Sequence, residues 1–272
     1  MVMSAIGLTK LIAIELDMGG KQSPDFEAKQ LVLYVCGNMF CDVTDEQVQL
    51  AKLLCSKRIR GEPLQYLLHE WEFYSLKFKV GAGVLIPRAD TEVLVDSALE
   101  FLKTQKSADV VDLCSGSGCV AVSIAKNAPD CHVKAIEKSP DAFEFLKENI
   151  ALNQVDIQPI LGDITTDVDG VYDLVVSNPP YIKRNIISSL QAEVQHEPFM
   201  ALDGGADGLF FYRIIAEKWF HHVKNRGKIM VEIGYDQSED VCKIFETLGL
   251  SNIKTIKDYS GNDRVIVGTV NF

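Results

Sequence analysis

Apolar and polar residues repeat along this chain with two different periods, and each period predicts a different kind of element. Before about residue 70, apolar residues recur every three or four positions, which is typical of amphipathic helices. Ser23 followed by Pro24, and the run Thr44 to Gln47, are typical helix starts, and Gly37 is a typical helix end. We therefore predict a small helical domain over residues 1–70.

Residues 71–86 alternate with a period of two instead, which predicts β-strands. We expect one strand up to Val80, a turn at Gly81-Ala82-Gly83 and a short return strand at residues 84–86, so that residues 71–88 form a β-hairpin linker. The helix that follows is expected to be capped by Asp90 or Thr91.

From residue 89 to residue 272, short apolar runs alternate with helical patterns. This alternation predicts an α/β fold with a doubly wound, Rossmann-like parallel sheet. The last two strands are joined by the short turn Gly261 to Asp263, so we expect an antiparallel hairpin at one edge of the sheet. The predicted strands cover residues 108–113, 133–136, 159–161, 172–176, 228–233, 253–256 and 265–270.

The fourth of these apolar runs ends at Ser177-Asn178-Pro179-Pro180-Tyr181. Proline has no N–H for a sheet ladder, so the proline pair takes the chain out of the sheet at a strand's carboxyl end, where open α/β sheets bind ligands. The stiff loop offers two acceptors side by side, the Asn178 side-chain oxygen and the Pro179 carbonyl oxygen. Such a pair can bind both hydrogens of one –NH₂ group, as a methyltransferase acting on an amide or exocyclic amino nitrogen requires. An ordinary proline-rich turn is the alternative explanation.

Residues 112–118, Asp-Leu-Cys-Ser-Gly-Ser-Gly, follow the first strand of this sheet and open a helix. Glycines allow a ligand close to the backbone, and the helix N-terminus supplies free N–H groups. The motif alone leaves NAD open, because Ala121 is tolerated where a dinucleotide site has its third glycine. Asp112 favours S-adenosylmethionine, since a carboxylate pairs with an ammonium group and repels a pyrophosphate.

Two further acids end the next two strands and support the same interpretation. Glu137 stands where an acid accepts hydrogen bonds from ribose hydroxyls, and Asp163 stands where an acid can bind an adenine amino group. Carboxylates at the ends of three successive strands suit a cationic nucleoside. Helix caps and surface acids are the alternative. Cys114 and Cys119, beside the loop, are interpreted as small packing residues.

Composition narrows the functional classes. The chain has 272 residues, a net charge of −11 and seven cysteines without a CxxC pair. The acidic surface disfavours broad nucleic-acid binding. The cysteine usage is typical of the cytosol, and no apolar run approaches the ~20 residues of a membrane span. We expect a soluble, cytoplasmic protein with no membrane association and no metal site.

Several segments together resemble the HemK/PrmC family, whose members methylate the glutamine side-chain amide in the Gly-Gly-Gln loop of peptide-chain release factors. Four residues depart from the common family pattern: Glu137 replaces Asp, His69 and Ser75 replace glycines, and Ala89 replaces proline. The resemblance runs from about residue 60 to the end, and the segments that carry it are Leu64 to Leu68, Glu72 to Tyr74, Leu85 to Glu92, Asp112 to Cys119, Ser177 to Ile182, Glu197-Pro198, Ala201 to Leu209, Glu232 to Gly234 and Asp263 to Val265.

The resemblance implies a class I methyltransferase fold, S-adenosylmethionine as cofactor, release factors as protein partners, and substrate recruitment as the role of the helical domain. We expect a monomer with no direct nucleic-acid partner. The candidate residues fall into three groups: catalytic Asn178, Pro179, Pro180 and Tyr181; cofactor-binding Asp112, Cys114, Ser115, Gly116, Ser117, Gly118, Glu137, Asp163, Ile164 and Asn178; and substrate-pocket Arg88 and Thr91.

Two other functions stay open on the sequence. The Asn-Pro-Pro-Tyr motif is shared with adenine-N6 and guanine-N2 nucleic-acid methyltransferases, although the acidic charge and the lack of a basic, aromatic-rich recognition domain disfavour these. A catalytically inactive S-adenosylmethionine-binding module is the third class. Without the resemblance, the chemistry of Arg88, Asp90 and Glu92 favours a surface ion-pair cluster over a pocket lining, and the sequence assigns no role to His196, His221 or His222.

Overall fold

The computed structural model describes residues 3–272, which divide into two compact units. One unit is the chain up to Glu70 together with Gln191–His196; the other is Trp71–Leu190 together with Glu197–Phe272. The helices are α1 (Ala5–Met18), α2 (Pro24–Cys36), α3 (Asp45–Ile59), α4 (Leu64–Leu68), α5 (Glu92–Leu102), α6 (Cys119–Asn127), α7 (Pro140–Asn153), α8 (Ala192–Gln195), α9 (Phe199–Leu202), α10 (Phe210–Ile214) and α11 (Ser238–Thr247). The strands are β1 (Glu70–Phe73), β2 (Leu76–Lys79), β3 (Asp109–Leu113), β4 (His132–Glu137), β5 (Ile157–Leu161), β6 (Tyr172–Ser177), β7 (Val223–Glu232), β8 (Ser251–Lys257) and β9 (Asp263–Thr269).

Two helices of the helical unit start, and one of them ends, where the sequence predicts. Pro24 is the first residue of α2, and Gly37 ends that helix in the left-handed conformation with φ 69°. Thr44 and Gln47 form a reciprocal capping box at the start of α3. This unit also buries an ion cluster, in which the Arg58 guanidinium binds Glu27 of α2 at 2.7 Å and Glu193 of the segment 191–196 at 2.6 Å.

The predicted hairpin exists, but its turn lies elsewhere and the predicted return strand at residues 84–86 is wrong. Strands β1 and β2 pair across Tyr74 and Ser75, which both adopt positive φ (52° and 58°), as a two-residue hairpin turn requires. Gly81 and Gly83 serve close packing instead. A Cβ on either glycine would lie 2.9 Å from an α7 side chain.

A seven-stranded sheet with the order β5-β4-β3-β6-β7-β9-β8 forms the second unit. Its first five strands in that order are parallel, and β9 runs antiparallel between β7 and β8. The central strands β3 and β6 are buried along nearly their whole length, because helices cover both faces of the sheet. Helices α5, α6 and α7 pack on one face, and α10 and α11 pack on the other. The predicted doubly wound sheet with an antiparallel edge hairpin is confirmed.

The start of α5 differs from the prediction. A 3₁₀ turn, Ala89–Thr91, leads directly into α5, and neither Asp90 nor Thr91 provides a side-chain cap. The Thr91 backbone is already helical, which does not place its side chain to accept from the N–H groups of the first turn of α5. Its hydroxyl accepts from the Asn178 side chain, just after β6, instead. Within residues 3–272, no helix is long and apolar enough to cross a bilayer.

Candidate active site

Strands β3, β4 and β5 follow one another towards one edge of the sheet, whereas β6 lies on the other side of β3. A cleft opens at the carboxyl ends of β3 and β6. Open α/β sheets bind ligands at such a switch point. The Ser177 hydroxyl at the end of β6 donates to the Leu113 carbonyl oxygen at the end of β3 over 2.7 Å, which fixes the two strand ends to each other. Asp112 and Asn178 both line the cleft.

The loop after β3 shapes one side of the cleft. Gly116 and Gly118 have φ 56° and 79°, and a Cβ on Gly118 would lie 2.5 Å from Leu146. Only glycine therefore allows the loop to turn this tightly against α7. The Asn149 side chain of α7 supports the loop from behind, because it donates to the Ser117 carbonyl oxygen over 2.9 Å.

Asp112 is a buried acid facing the cleft. Burial raises the pKa of Asp112 to about 7, although hydrogen bonds from the Ser115 side chain and the Ala121 N–H lower it. Asp112 Oδ2 accepts from the Ala121 N–H over 3.2 Å. The carboxyl group thus has one backbone donor and no cation beside it among the described residues, which suits a ligand that carries its own positive charge.

Glu137 ends β4 and connects the loop after β3 to the start of α7. Its two oxygens accept from the N–H groups of Gly116 and Ser139, each over 2.7 Å. Burial raises the pKa of Glu137, and these two backbone bonds lower it. The longer side chain, compared with the Asp typical of the resembling family, reaches both loops at once and still lines the cleft.

Asp163 follows β5 at the far end of the same cleft. Partial burial opposes ionisation, but hydrogen bonds from Lys138 and Thr165 lower the pKa of Asp163. Its neighbour Ile164 is buried and lines the cleft. Asp112 could hold an ammonium group, Glu137 ribose hydroxyls and Asp163, beside the apolar Ile164, an adenine amino group, so these residues fit S-adenosylmethionine, whereas Asp112 would repel a pyrophosphate.

The loop after β6 forms the other side of the cleft. Asn178 Nδ2 donates to the Thr91 hydroxyl over 3.2 Å, and Asn178, Thr91 and Pro180 all line the cleft. Pro179 is buried. Tyr181 is directed away from the cleft, with its ring packed in the apolar core and its hydroxyl 3.3 Å from Glu232.

Arg88 lines the cleft and forms an ion pair with Glu197, which is buried and also accepts from the Ile86 N–H. Burial raises the pKa of Glu197, and Arg88 lowers it. Asp90 pairs instead with Arg264 at 3.2 Å, and Glu92 accepts from the Tyr74 N–H. The surface cluster of Arg88, Asp90 and Glu92, which the sequence left open, therefore does not form, because each of these residues has a different partner.

The structure also places residues at the site to which sequence reasoning gave no role. Glu232 lies buried at the end of β7, beneath Tyr181 and Thr91, and Glu197 holds Arg88. Asn149 lies behind the loop after β3. The sequence did contain a sign of a role for Glu232, because this acidic residue directly follows an apolar run at the end of β7, where burial of an unpaired charge costs free energy.

The remaining candidates have ordinary structural surroundings. Cys114, Ser115, Ser117 and Cys119 line the cleft, and burial raises the pKa of both thiols, which therefore stay protonated. His222 contacts the Gly170 carbonyl oxygen through Nδ1. Across the residues that the structure describes, no group of three or more His, Cys, Asp or Glu side chains is arranged to hold a metal ion.

Comparisons with known proteins agree with this geometry. Residues 90–197 match the methyltransferase small domain family. A release factor glutamine methyltransferase from Thermodesulfovibrio yellowstonii is 42% identical over 231 residues, with 83% of each chain covered. The enzyme of that name from Agrobacterium fabrum is 36% identical over 267 residues, with 92% of each chain covered.

A solved structure supports the fold. A methyltransferase from Pyrococcus furiosus superposes with a TM-score of 0.54 over 82% of this chain and 98% of its own, at 20% identity. The predicted methyltransferase fold is confirmed, as is the resemblance to the HemK/PrmC family. At the identities found along most of both chains, this chain belongs to the release factor glutamine methyltransferase family.

Proposed function

We propose that this protein transfers a methyl group from S-adenosylmethionine to the side-chain amide nitrogen of the glutamine in the Gly-Gly-Gln motif of peptide-chain release factors. The observation that carries the proposal is the placement of Asn178. Its Nδ2 donates to the Thr91 hydroxyl, and no group among residues 3–272 donates to its Oδ1, which can therefore accept a hydrogen bond in the cleft that also contains Asp112.

An amide nitrogen is a weak nucleophile because its lone pair is delocalised. Asn178 Oδ1 and the Pro179 carbonyl oxygen accept the two N–H groups of the substrate amide, which orients the nitrogen and stabilises the positive charge that develops on it. The rigid proline pair holds the two acceptors in place. No strong general base is needed, because the proton can leave after transfer.

The other side of the cleft binds the cofactor. When bound, S-adenosylmethionine supplies an electrophilic methyl group on its sulfonium. Asp112 pairs with the ammonium group, Glu137 accepts from the ribose hydroxyls and Asp163 accepts from the adenine amino group. Residues 114–118 provide backbone contacts, and Ile164 provides an apolar wall.

The test is methyl transfer from labelled S-adenosylmethionine to a release factor and, in parallel, to the same factor with its Gly-Gly-Gln glutamine changed to alanine. We expect label in the first protein only. Label in both proteins would show that another residue is the target. Label in DNA or ribosomal RNA, with none in the release factor, would show that the substrate is a nucleic acid.

The helical unit supports a role in substrate recruitment. It exposes several large apolar side chains, among them Ile14, Met18 and Phe40, the last 87% exposed. Substitution Phe40→Ala is expected to raise KM for the release factor and to leave S-adenosylmethionine binding unchanged. Because the proposed substrate is a protein of the translation machinery, we propose that the enzyme is cytoplasmic. We also propose that it is a monomer and binds no nucleic acid directly.

A further inference from the structure

Gln237 is a buried side chain to which the proposed reaction gives no part. It directly precedes α11 and is 5% exposed. Its Nε2 donates to the carbonyl oxygens of Tyr181 and Gly208 over 3.1 Å and 3.2 Å. Its Oε1 accepts from the Gly234 N–H over 2.9 Å and lies 3.3 Å from the Tyr212 hydroxyl. One side chain thus connects the loop after β6, the loop before α10 and the turn after β7.

The surroundings of this side chain accept an amide in one orientation only. A glutamine amide has two N–H groups to donate and one oxygen that can accept twice. The carbonyl oxygens of Tyr181 and Gly208 can only accept, and the Gly234 N–H can only donate. The amide must therefore present Nε2 to the carbonyls and Oε1 to the N–H group. A buried polar group with all its hydrogen bonds made in this way holds its partners rigidly.

Two glycines of the loop between α9 and α10 pack on the backbone of the same tyrosine. A Cβ on Gly204 would lie 2.7 Å from both the Cα and the carbonyl carbon of Tyr181, and a Cβ on Gly208 would lie 2.6 Å from the Tyr181 oxygen. The Gly204 N–H also donates to the Ile182 carbonyl oxygen over 2.8 Å. The Tyr181 backbone is therefore confined by glycine backbone and bound at its carbonyl group by Gln237.

The position of this backbone affects the acceptors of the proposed reaction. Tyr181 directly follows the proline pair, and the Pro180 ring fixes its own φ, so few free torsions separate the Tyr181 carbonyl from the Pro179 carbonyl. The Tyr181 ring is packed in the core, with its hydroxyl 3.3 Å from Glu232. A residue that holds the Tyr181 backbone as well therefore fixes the loop after β6 from its far end.

We propose that Gln237 is a positioning residue that holds the Tyr181 carbonyl group and thereby orients the Pro179 carbonyl oxygen towards the substrate N–H. The inference rests on the proposed function, because only a substrate with an N–H group uses that acceptor. Gln237 itself does not line the cleft. Its loss should therefore reduce turnover and leave cofactor binding unchanged.

The direct test follows the Tyr181 carbonyl group by NMR. Tyr181-Ile182 is the one Tyr-Ile pair in the chain, so labelling the full chain with carbonyl-¹³C tyrosine and ¹⁵N isoleucine gives a single carbonyl–amide signal. Gln237→Glu at neutral pH and Gln237→Met keep the length of the side chain and remove both N–H donors. We expect both variants to move the ¹³C signal upfield, as a carbonyl group does when it loses a hydrogen bond.

Kinetics provide the second measurement. Both Gln237 variants should lower kcat for methyl transfer to the release factor by about 10- to 100-fold, because a displacement of about 1 Å in the reacting geometry can cost this much. KM for S-adenosylmethionine should not change. Calorimetry with S-adenosylmethionine provides the matching binding measurement and should give wild-type affinity.

Asn153→Asp is the matched control. Asn153 is a buried amide on α7 whose Nδ2 donates to two backbone carbonyl oxygens, those of Lys77 and Asn149, over 2.9 Å and 3.0 Å. The substitution removes both donors, as Gln237→Glu does, but away from the loop after β6. It should lower stability in the same way and leave kcat near the wild-type value.

Gly204→Ala changes the same loop without altering Gln237. Gly204 is not among the residues with positive φ, so alanine there adds only the close contact with the Tyr181 backbone. We expect it to shift the Tyr181 carbonyl signal and to lower kcat, again with unchanged KM for S-adenosylmethionine. This variant keeps the inference testable even if the Gln237 variants do not fold.

Three results would overturn the inference. The first is a Tyr181 carbonyl signal that stays at its wild-type position in both Gln237 variants. The second is a shifted signal with wild-type kcat, and the third is an equal loss of kcat in Asn153→Asp, which would reflect a general loss of stability. Failure of the proposed function looks different: the signal shifts in the Gln237 variants, but the wild-type enzyme leaves the release factor unlabelled.

Discussion

The two sides of the cleft are held by different kinds of contact. On the cofactor side, side chains bind the backbone of nearby loops, as Glu137 does with Gly116 and Ser139. On the substrate side, side chains bind other side chains that are far away in the sequence. Asn178 binds Thr91, 87 positions earlier, and Arg88 binds Glu197, 109 positions later.

This difference bears on how each side tolerates change. A contact to backbone survives substitutions in the partner residue, because every residue has an N–H group except proline. A contact between two side chains is lost when either of them changes. We therefore expect the substrate side to be the more sensitive to single substitutions, and the predictions below run from the largest effect to the smallest.

The largest effect is expected at Asn178. Asn178→Ala removes the acceptor for the substrate amide and should lower turnover by about 10²–10³, as losing one oriented polar contact to transition-state charge does. Single-turnover methyl transfer measures this. Calorimetry with S-adenosylmethionine is the control and should show near-normal affinity. A variant with wild-type turnover would remove Asn178 from the mechanism.

Asp112 gives the next largest effect, on binding. Asp112→Asn keeps an acceptor for the Ala121 N–H but loses the charge that we propose pairs with the cofactor ammonium. We expect Kd for S-adenosylmethionine to rise by about 10- to 100-fold, the value of a charged hydrogen bond. Calorimetry measures this change.

The same residue predicts a pH dependence of binding. The pKa of Asp112 is raised to about 7, so in the wild type the carboxyl group is protonated below this pH and cannot pair with a cation. Affinity should therefore weaken as the pH falls through 7, whereas Asp112→Asn should bind equally on both sides of it. Equal pH dependence in the two proteins would assign the titration to another group.

Glu137→Asp tests the cofactor side through its backbone contacts. The shorter side chain cannot hold the N–H groups of Gly116 and Ser139 together at 2.7 Å. Losing one such hydrogen bond should cost about 1 kcal/mol of binding free energy, which corresponds to roughly a fivefold rise in Kd for S-adenosylmethionine. Glu144→Asp on the exposed surface of α7 is the matched control. Unchanged affinity at Glu137 would show that the loops adjust to either acid.

The smallest effect concerns a position away from both sides of the cleft. Ser75 has φ 58° in the hairpin turn and its side chain is exposed. Ser75→Gly should raise the free energy of unfolding by about 0.5 kcal/mol, since glycine adopts this backbone conformation without strain but loses more entropy on folding. Gly261→Ala is the control with the opposite sign. Gly261 has φ 87° and open space around a Cβ, so alanine there would strain only the backbone and should lower the free energy of unfolding. Urea unfolding measures both.

The same contrast between local and distant contacts explains what the sequence could predict. The helix starts at Pro24 and Thr44, the parallel strands and the loop at Asp112 depend on residues close in sequence, and the structure has them as expected. The hairpin turn was misplaced because glycines usually mark turns, whereas Tyr74 and Ser75 adopt positive φ here. The partners of Thr91 and Glu232 could not be predicted, because pairing over such distances depends on the finished topology.

The segment 191–196 has a consequence for how this protein can change by recombination. The helical unit consists of two pieces of the chain, and Arg58 and Lys21 in the first piece bind Glu193 in the second. A single crossover that replaces the first 70 residues would therefore exchange only part of the unit and separate a buried arginine from one of its two acids. A chimaera with a relative's helical unit should therefore fold well only when both segments come from the same parent.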